Sequence, residues 1–316
     1  MPGRMIEGRW MSDANAAAHD AKGAFARPAS VFRSWITPDG SPGPTGDGGF
    51  RAEPSRYHLY VSLACPWAHR TLIFRKLKGL EGMIGLSVVH WLMGDDGWTF
   101  AEGPGVIPDT VNGASKLHEV YSRAKSDYTG RVTVPVLWDK QRNAIVNNES
   151  ADIIRMFNSA FDRVGATPGD YYPVALRAEI DVLNARIYAT VNNGVYRCGF
   201  AASQGAYDEA VTALFATLDD LEARFSGRRF LLGDAVTEAD WRLFVTLLRF
   251  DPVYVGLFKC NLRRIADYPN LRRYRDELRA WPGIEATIDM GHIKRHYYES
   301  LRFINPTGIV PMGPLN

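Results

Sequence analysis

Cys65 stands in the run Ala64-Cys65-Pro66-Trp67-Ala68-His69-Arg70. A thiol acts as a nucleophile only in its thiolate form, so the first question is what could hold that charge. The preceding residues, 57–63, alternate and are rich in strand formers, which predicts a buried strand. The following residues set Ile73, Phe74 and Leu77 against Arg70, Arg75, Lys76 and Lys78, which predicts a helix with a basic face, closed by Gly79. Pro66 suits the first helical turn, where a missing N–H costs nothing. Cys65 is thereby placed at the N-cap, facing unpaired backbone N–H groups and the positive end of the helix dipole. A free cysteine with a pKa of about 8.5 is roughly 3% thiolate at pH 7, and bringing that pKa to about 6 takes about 3.4 kcal/mol. A helix N-terminus contributes about 0.3 to 2 kcal/mol, so further hydrogen-bond donors are required. The other reading of the same residue is a buried structural cysteine, packed as a small hydrophobe.

A strand, then Cys-Pro, then a helix is the redox position of a thioredoxin-like layer. Ala68 occupies the place where a C-x-x-C motif would carry its second cysteine. A lone cysteine there must be resolved by an external thiol, and glutathione is the candidate.

The elements that must position this residue are legible in order. Residues 1–55 read as an extension, with an alanine-rich stretch over 14–25, a Pro/Gly-rich loop over 38–49, and Trp10, Phe32 and Trp35 as anchors to the body. Residues 84–91 predict a second strand, so the helix between makes a βαβ unit with parallel strands. Residues 92–130 form a long excursion holding Trp98 and a short helix near 114–125; an excursion of this length is expected to have a function. Residues 131–139 predict a strand entered through Val134-Pro135, and 144–146 its hairpin partner. Glu149-Ser150 then starts a helix over 151–158. From Pro173 onward the apolar spacing is helical, over 176–193, 206–224 and 238–249, with Thr237-Glu238-Ala239-Asp240 as a capped start. The basic run 262–279, with six arginines, reads as a solvated helix face.

Composition bounds the class. At 316 residues, 46% hydrophobic and 23% charged, the chain suits two globular domains. A net charge of +2 calls for neither nucleic acid nor an anionic membrane surface. No apolar run reaches transmembrane length, and the start of the sequence carries no apolar secretory region. Cys65, Cys198 and Cys260 are too few and too scattered for a disulfide framework, which favours a cytoplasmic setting. Seven histidines show no metal spacing, so no metal is expected.

The thioredoxin-like half followed by a helical half, with Leu231-Leu232-Gly233-Asp234 and the Thr-Glu-Ala-Asp cap, resembles the cytosolic glutathione transferases. Cys65-Pro66-Trp67-Ala68-His69-Arg70 is similar to their omega and xi classes. The stretches 57–62, 192–201, 249–254 and 291–298 resemble the xi class alone, the glutathionyl-hydroquinone reductases, and the similarity runs from about residue 5 to 313. The resemblance implies an α/β thioredoxin-like glutathione-binding domain over 56–160, an all-helical hydroquinone-binding domain over 173–316, and a homodimer. It also implies an enzyme that uses glutathione as co-substrate and passes through a Cys65–glutathione mixed disulfide.

Site roles follow from the resemblance, residue by residue. Val134, before a cis-proline, would pair with the cysteinyl unit of glutathione through its backbone, flanked by Val132 and Thr133. Glu149 and Ser150 would take the amine and carboxylate of the γ-glutamyl end. Arg131 would pair with a glutathione carboxylate, and Trp98 would wall the site. Tyr254 and Tyr297 would donate to the thiolate, with Tyr298 the neighbouring alternative, and Tyr196 would exchange a proton with the aromatic carbon. Cys198 and Cys260 read as buried small hydrophobes. Two further readings stay open on the residues alone: an omega-like thioltransferase or dehydroascorbate reductase, which needs the same Cys65 but not Tyr196, and a non-catalytic glutathione-binding module.

Overall fold

The computed structural model describes residues 3–13 and 18–314; the first part of the alanine-rich stretch, 14–17, lies outside the described residues. The chain forms two compact units that are not linear along it. The first takes the described residues up to 16, then 29–169 and 286–308; the second takes those from 18 to 28, 170–285 and 309–314. The described residues before 56 are shared between the two units. Their first hairpin, β1 (Arg4–Ile6) with β2 (Arg9–Met11), belongs to the first unit, and their second, β3 (Ala18–His19) with β4 (Phe25–Ala26), to the second.

The first unit is built on a four-stranded mixed sheet. Its strands are β5 (Tyr57–Val61), β6 (Ile84–Val88), β7 (Val136–Asp139) and β8 (Ala144–Asn147), ordered β6-β5-β7-β8. β5 and β6 are parallel, as the βαβ reading requires, and β7 runs antiparallel to both β5 and β8. The crossover helix is α1 (Pro66–Leu77), which Gly79 closes at a positive φ of 61°; it packs with α3 (Ser150–Ser159), and α2 (Leu117–Ala124) lies in the excursion.

The basic residues of this segment are not alike: Lys76 is exposed, whereas Arg70 and the C-cap Lys78 are buried, Lys78 bonded to Asp162 at 3.0 Å and to the Gly169 carbonyl at 2.7 Å. Two expectations are corrected. The strand expected over 131–139 begins only at Val136. Pro135 has no N–H to donate, and Thr133 spends its own N–H and carbonyl on the Tyr121 hydroxyl. The strand expected to reach Trp91 ends at Val88, because the His90 N–H turns to the Thr99 carbonyl.

The N-terminal arm covers the β8 edge: Ser34 N–H bonds the Val146 carbonyl and Asn148 N–H bonds that of Phe32, which removes an open edge. Trp10 stacks on His118 and donates to the Asp95 carbonyl, and Phe32 meets Tyr121 edge-on, as anchors should. Trp35 instead donates to Thr45 within the arm's own loop.

The second unit is helical. It comprises α4 (Arg177–Ile187), α5 (Gly194–Gly199), α6 (Gln204–Phe225), α7 (Glu238–Arg249), α8 (Val255–Leu257) and α9 (Pro269–Arg279). Every residue of α7 is buried, and Thr237 with Asp240 forms the expected capping box. The helix expected over 176–193 is interrupted by a π-helical turn, Tyr188–Asn192, and a second such turn, Phe250–Tyr254, follows α7. Pro252 explains the second, since it cannot supply the α-helical N–H. The last helix, α10 (Met290–Ser300), belongs with the first unit rather than with the helical one. Among the described residues, no helix is long and apolar enough to cross a membrane.

Candidate active site

Cys65 caps α1 from an extended backbone, φ −74° and ψ 122°, with Pro66 at the first helical position. Its carbonyl accepts from His69 N–H at 2.9 Å, so the helix begins at the thiol-bearing residue. The side chain is half-buried and does not cap the helix itself. Its Sγ donates to the Val134 carbonyl at 3.7 Å, a contact available to the thiol and not to the thiolate. The Val134–Pro135 peptide beside it is cis.

The 131–134 segment is braced from behind by one buried phenol. The Tyr121 hydroxyl donates to the Thr133 carbonyl at 2.8 Å and accepts from the Thr133 N–H at 3.2 Å and from Asn148 Nδ2 at 3.2 Å. Burial pushes this phenol's pKa up, so it stays a neutral donor. Tyr128 adds a bond from its hydroxyl to the Arg131 carbonyl at 2.8 Å. Arg131, Val132 and Thr133 are half-buried, and Val134 is buried.

Glu149 and Ser150 stand at the start of α3. Glu149 is its N-cap, with Oε1 accepting from Ala151 N–H at 3.1 Å, while Oε2 accepts from Ser30 of the arm at 3.0 Å. Ser150 is buried, and its Oγ accepts from Arg70 at 3.4 Å. Arg70 in turn lies over the Trp67 ring, 4.6 Å from its centroid. A guanidinium beside a helix N-terminus makes that end doubly favourable to an anion.

Trp98 and Tyr297 are joined through a residue the sequence reading passed over. Trp98 stacks on His296 with ring centroids 4.8 Å apart, and His296 Nδ1 is bonded to the Trp91 carbonyl at 2.8 Å. Tyr297, the next residue on α10, is buried and meets the His296 ring edge-on. Tyr298 is also buried, which pushes its pKa up. Two further bonds fix α10 to the elements around it: Trp91 Nε1 to Glu299 at 3.0 Å, and His292 Nε2 with the Pro104 carbonyl at 2.6 Å. His69, one turn beyond Cys65, bonds Thr287 just ahead of α10 at 2.8 Å. The signal available in sequence was the four-residue spacing of His292 and His296; for Tyr121, one tyrosine of fourteen, there was none.

Tyr196 and Tyr254 belong to the second unit, each just beyond a π-helical turn or at its end. Their rings lie 6.2 Å apart, Tyr254 stacks on Phe258 at 5.3 Å, and Phe200 completes the cluster. A wide turn displaces the residues after it from α-helical register, which is how two tyrosines from separate helices reach one cluster. Cys198 and Cys260 are buried as expected, but not scattered in space. Cys260 Sγ donates to the Phe258 carbonyl at 3.8 Å, and burial, with Cys198 as a neighbour, pushes the Cys260 thiol well up. Among the described residues, no group of three His, Cys, Asp or Glu comes together as a metal site.

Comparison with known proteins agrees with this architecture. Residues 64–160 match the family described as Glutathione S-transferase, N-terminal domain, and 204–277 match Glutathione S-transferase, C-terminal domain. The chain is 55% identical to glutathionyl-hydroquinone reductase PcpF of Sphingobium chlorophenolicum, over 99% of this chain and 96% of that protein. It is 56% identical to glutathionyl-hydroquinone reductase YqjG of Escherichia coli, over 99% of this chain and 95% of that one. The glutathione-bound structure of YqjG superposes with a TM-score of 0.92 over 99% of this chain and 96% of that chain. The glutathione S-transferase Xi of Phanerochaete chrysosporium, 51% identical, superposes with a TM-score of 0.89 over 94% of this chain and 95% of that chain. By sequence and by fold, the chain belongs to the glutathione transferases, in the xi class with the glutathionyl-hydroquinone reductases.

Proposed function

We propose that this protein reduces glutathionyl-hydroquinones to hydroquinones, with glutathione as reductant and Cys65 as nucleophile. The observation that carries the reading is the placement of Cys65 at the N-terminus of α1 with its Sγ 3.7 Å from the Val134 carbonyl beside the cis peptide. A thiol so placed can meet the sulfur of a glutathione whose backbone pairs with Val134. In the first step the Cys65 thiolate attacks the glutathione sulfur on the ring. The S–C bond breaks, its electron pair stays on the aromatic carbon, and a proton joins that carbon. Both sulfurs are now oxidised as a mixed disulfide, and the hydroquinone leaves. In the second step a glutathione thiolate attacks this disulfide, glutathione disulfide departs, and the Cys65 thiol is restored.

Roles follow for the rest of the site. Val132, Thr133 and Val134 present backbone to the cysteinyl unit, Arg131 pairs with a carboxylate of glutathione, and Glu149 with Ser150 take its γ-glutamyl end. Trp98 forms a wall. Tyr254 and Tyr297 donate to the Cys65 sulfur, and Tyr196 supplies the proton to the ring carbon. The protein acts as a cytoplasmic homodimer.

The test is to incubate the protein with glutathionyl-menadiol and follow menadiol and glutathione disulfide, with intact mass taken before a second glutathione is added. Wild type is expected to gain one glutathionyl adduct and release menadiol stoichiometrically; Cys65→Ser does neither. A wild-type protein that reduces small mixed disulfides yet releases no menadiol would be a thioltransferase. One that binds glutathione and turns over neither substrate would be a binding module.

A further inference from the structure

The N-terminal arm sends its second hairpin into the helical unit, and the hairpin is held there at several points. The Asp20 carboxylate accepts from the Lys22 and Ala24 N–H groups, both at 2.9 Å, which closes the turn. Gly23, with φ 83°, passes its carbonyl to Ala202 N–H at 3.0 Å, and Ser203 donates to the Lys22 carbonyl at 2.7 Å. His19 Nε2 is bonded to the Phe200 carbonyl at 2.8 Å, and Phe25 meets the Phe200 ring edge-on. The strand that follows this clamp delivers Arg27. Its Nε donates to Asn193 Oδ1 at 2.8 Å, and its guanidinium lies over the Tyr196 ring, 4.8 Å from the centroid. Asn193 is itself fixed, its N–H on the Tyr188 carbonyl at 2.8 Å across the first π turn. The same guanidinium lies over the Phe25 ring at 5.4 Å, so one residue of the arm is held between its own strand, Asn193 and the face of Tyr196.

We propose that Arg27 is a positioning residue for Tyr196, whose cation holds the phenol ring in place and makes it a stronger acid toward the aromatic carbon. The inference rests on the reading of Tyr196 as proton donor. A guanidinium within about 6 Å of an aromatic face is attracted to it, and a nearby cation favours the phenolate over the phenol. The other titratable groups around this cluster oppose it little. Tyr254 is buried, His19 is engaged by the Phe200 carbonyl, Arg197 on α5 pairs with Glu209 on α6, and Asp251 is taken up by the Ile265 and Ala266 N–H groups. Cys198 and Cys260 are buried against each other. Arg27 thus brings a cation directly onto the Tyr196 ring.

The experiment is a double-mutant cycle on the full-length protein, with glutathionyl-menadiol as substrate and kcat followed against pH. Arg27→Gln weakens the phenol as an acid, so the alkaline limb of kcat moves up by about half to one pH unit and plateau kcat falls about three- to tenfold. Arg27→Lys keeps the charge and restores most of both. In a Tyr196→Phe background, Arg27→Gln has no further effect. Thermal midpoints of wild type and the four variants separate this from loss of fold. An unmoved limb in Arg27→Gln, with Tyr196→Phe strongly impaired, overturns the role of Arg27 and leaves that of Tyr196 standing. Independent, multiplying losses in the double mutant overturn it equally. Full activity in Tyr196→Phe removes the proton-donor reading, and this inference with it.

Discussion

Tyr121 lies outside every motif, yet its hydroxyl holds both backbone groups of Thr133, one residue before Val134. Its third bond, from Asn148, ties the same point to the start of α3, where Glu149 and Ser150 stand. Removing one hydroxyl leaves buried polar groups unpaired at about 1 to 3 kcal/mol. Tyr121→Phe is therefore expected to raise KM for glutathione about tenfold while kcat changes much less, because the loss falls on binding geometry rather than on Cys65. Initial-rate kinetics with glutathione varied would check the split, and an unchanged KM would show that the segment holds its shape without the brace. Burial keeps the phenol protonated through the working range, so this brace carries no pH dependence of its own near neutrality.

At the scale of elements, the two π-helical turns decide where the aromatic cluster sits. Asn192, inside the first, reaches across to the Arg242 carbonyl at 2.9 Å and Thr246 Oγ1 at 2.8 Å, so the turn is locked to α7. Gly199 closes α5 against the Phe258 ring, and a β-carbon at that position would collide with the ring. Its φ is ordinary, so alanine suits the backbone, and helix propensity alone predicts a gain of stability. Overpacking predicts the opposite, a loss of about 1 to 3 kcal/mol. Gly199→Ala is expected to lower the thermal midpoint and to impair turnover of the aromatic substrate, since Phe258 contacts both Tyr196 and Tyr254. A midpoint equal to or above that of wild type would mean the ring yields freely. Helix α10 makes the same point differently. Its sequence is helical like everything after residue 173, but its histidines and Glu299 bond Trp91 and Pro104, and it groups with the sheet.

At the scale of the whole molecule, stability carries a pH dependence from the middle of the sheet. His58 on β5 is buried, and that burial pushes its pKa down to about 4. Ser87 donates its one proton to the Pro108 carbonyl at 2.9 Å, so the His58 Nε2 that meets Ser87 Oγ at 2.8 Å carries hydrogen and the ring is neutral. An unfolded histidine titrates near 6.5. Between those two values the unfolded chain binds more protons, so stability rises with pH through the window. The contribution is complete above about 6.5 and is lost as pH falls toward 4, on the order of 2 to 3 kcal/mol. Denaturant unfolding at a series of pH values should show this slope, and His58→Gln should flatten it. An equal slope in the variant would assign it to other groups.

What the sequence determined by itself was whatever local pattern dictates. The β5–Cys65–α1 order, the parallel β6, the β7–β8 hairpin and the capped start of α7 all follow from alternation, helical spacing and cap chemistry within a few residues. The family was legible through long stretches of resemblance, and the roles proposed for Tyr196, Tyr254, Tyr297 and the glutathione-site positions rest on that resemblance rather than on any physical signal in single residues. Only tertiary structure decided how distant segments serve one another. It buried Arg70 and Lys78 from a run that reads only as basic, and it laid the arm along β8. It set His296 on Trp98, brought Cys198 to Cys260, and placed Arg27 over Tyr196. The physical reason is common to all of these. Periodicity reports which side of an element avoids water, whereas a hydrogen bond between residues a hundred positions apart depends on the packing of both elements, which no local pattern encodes.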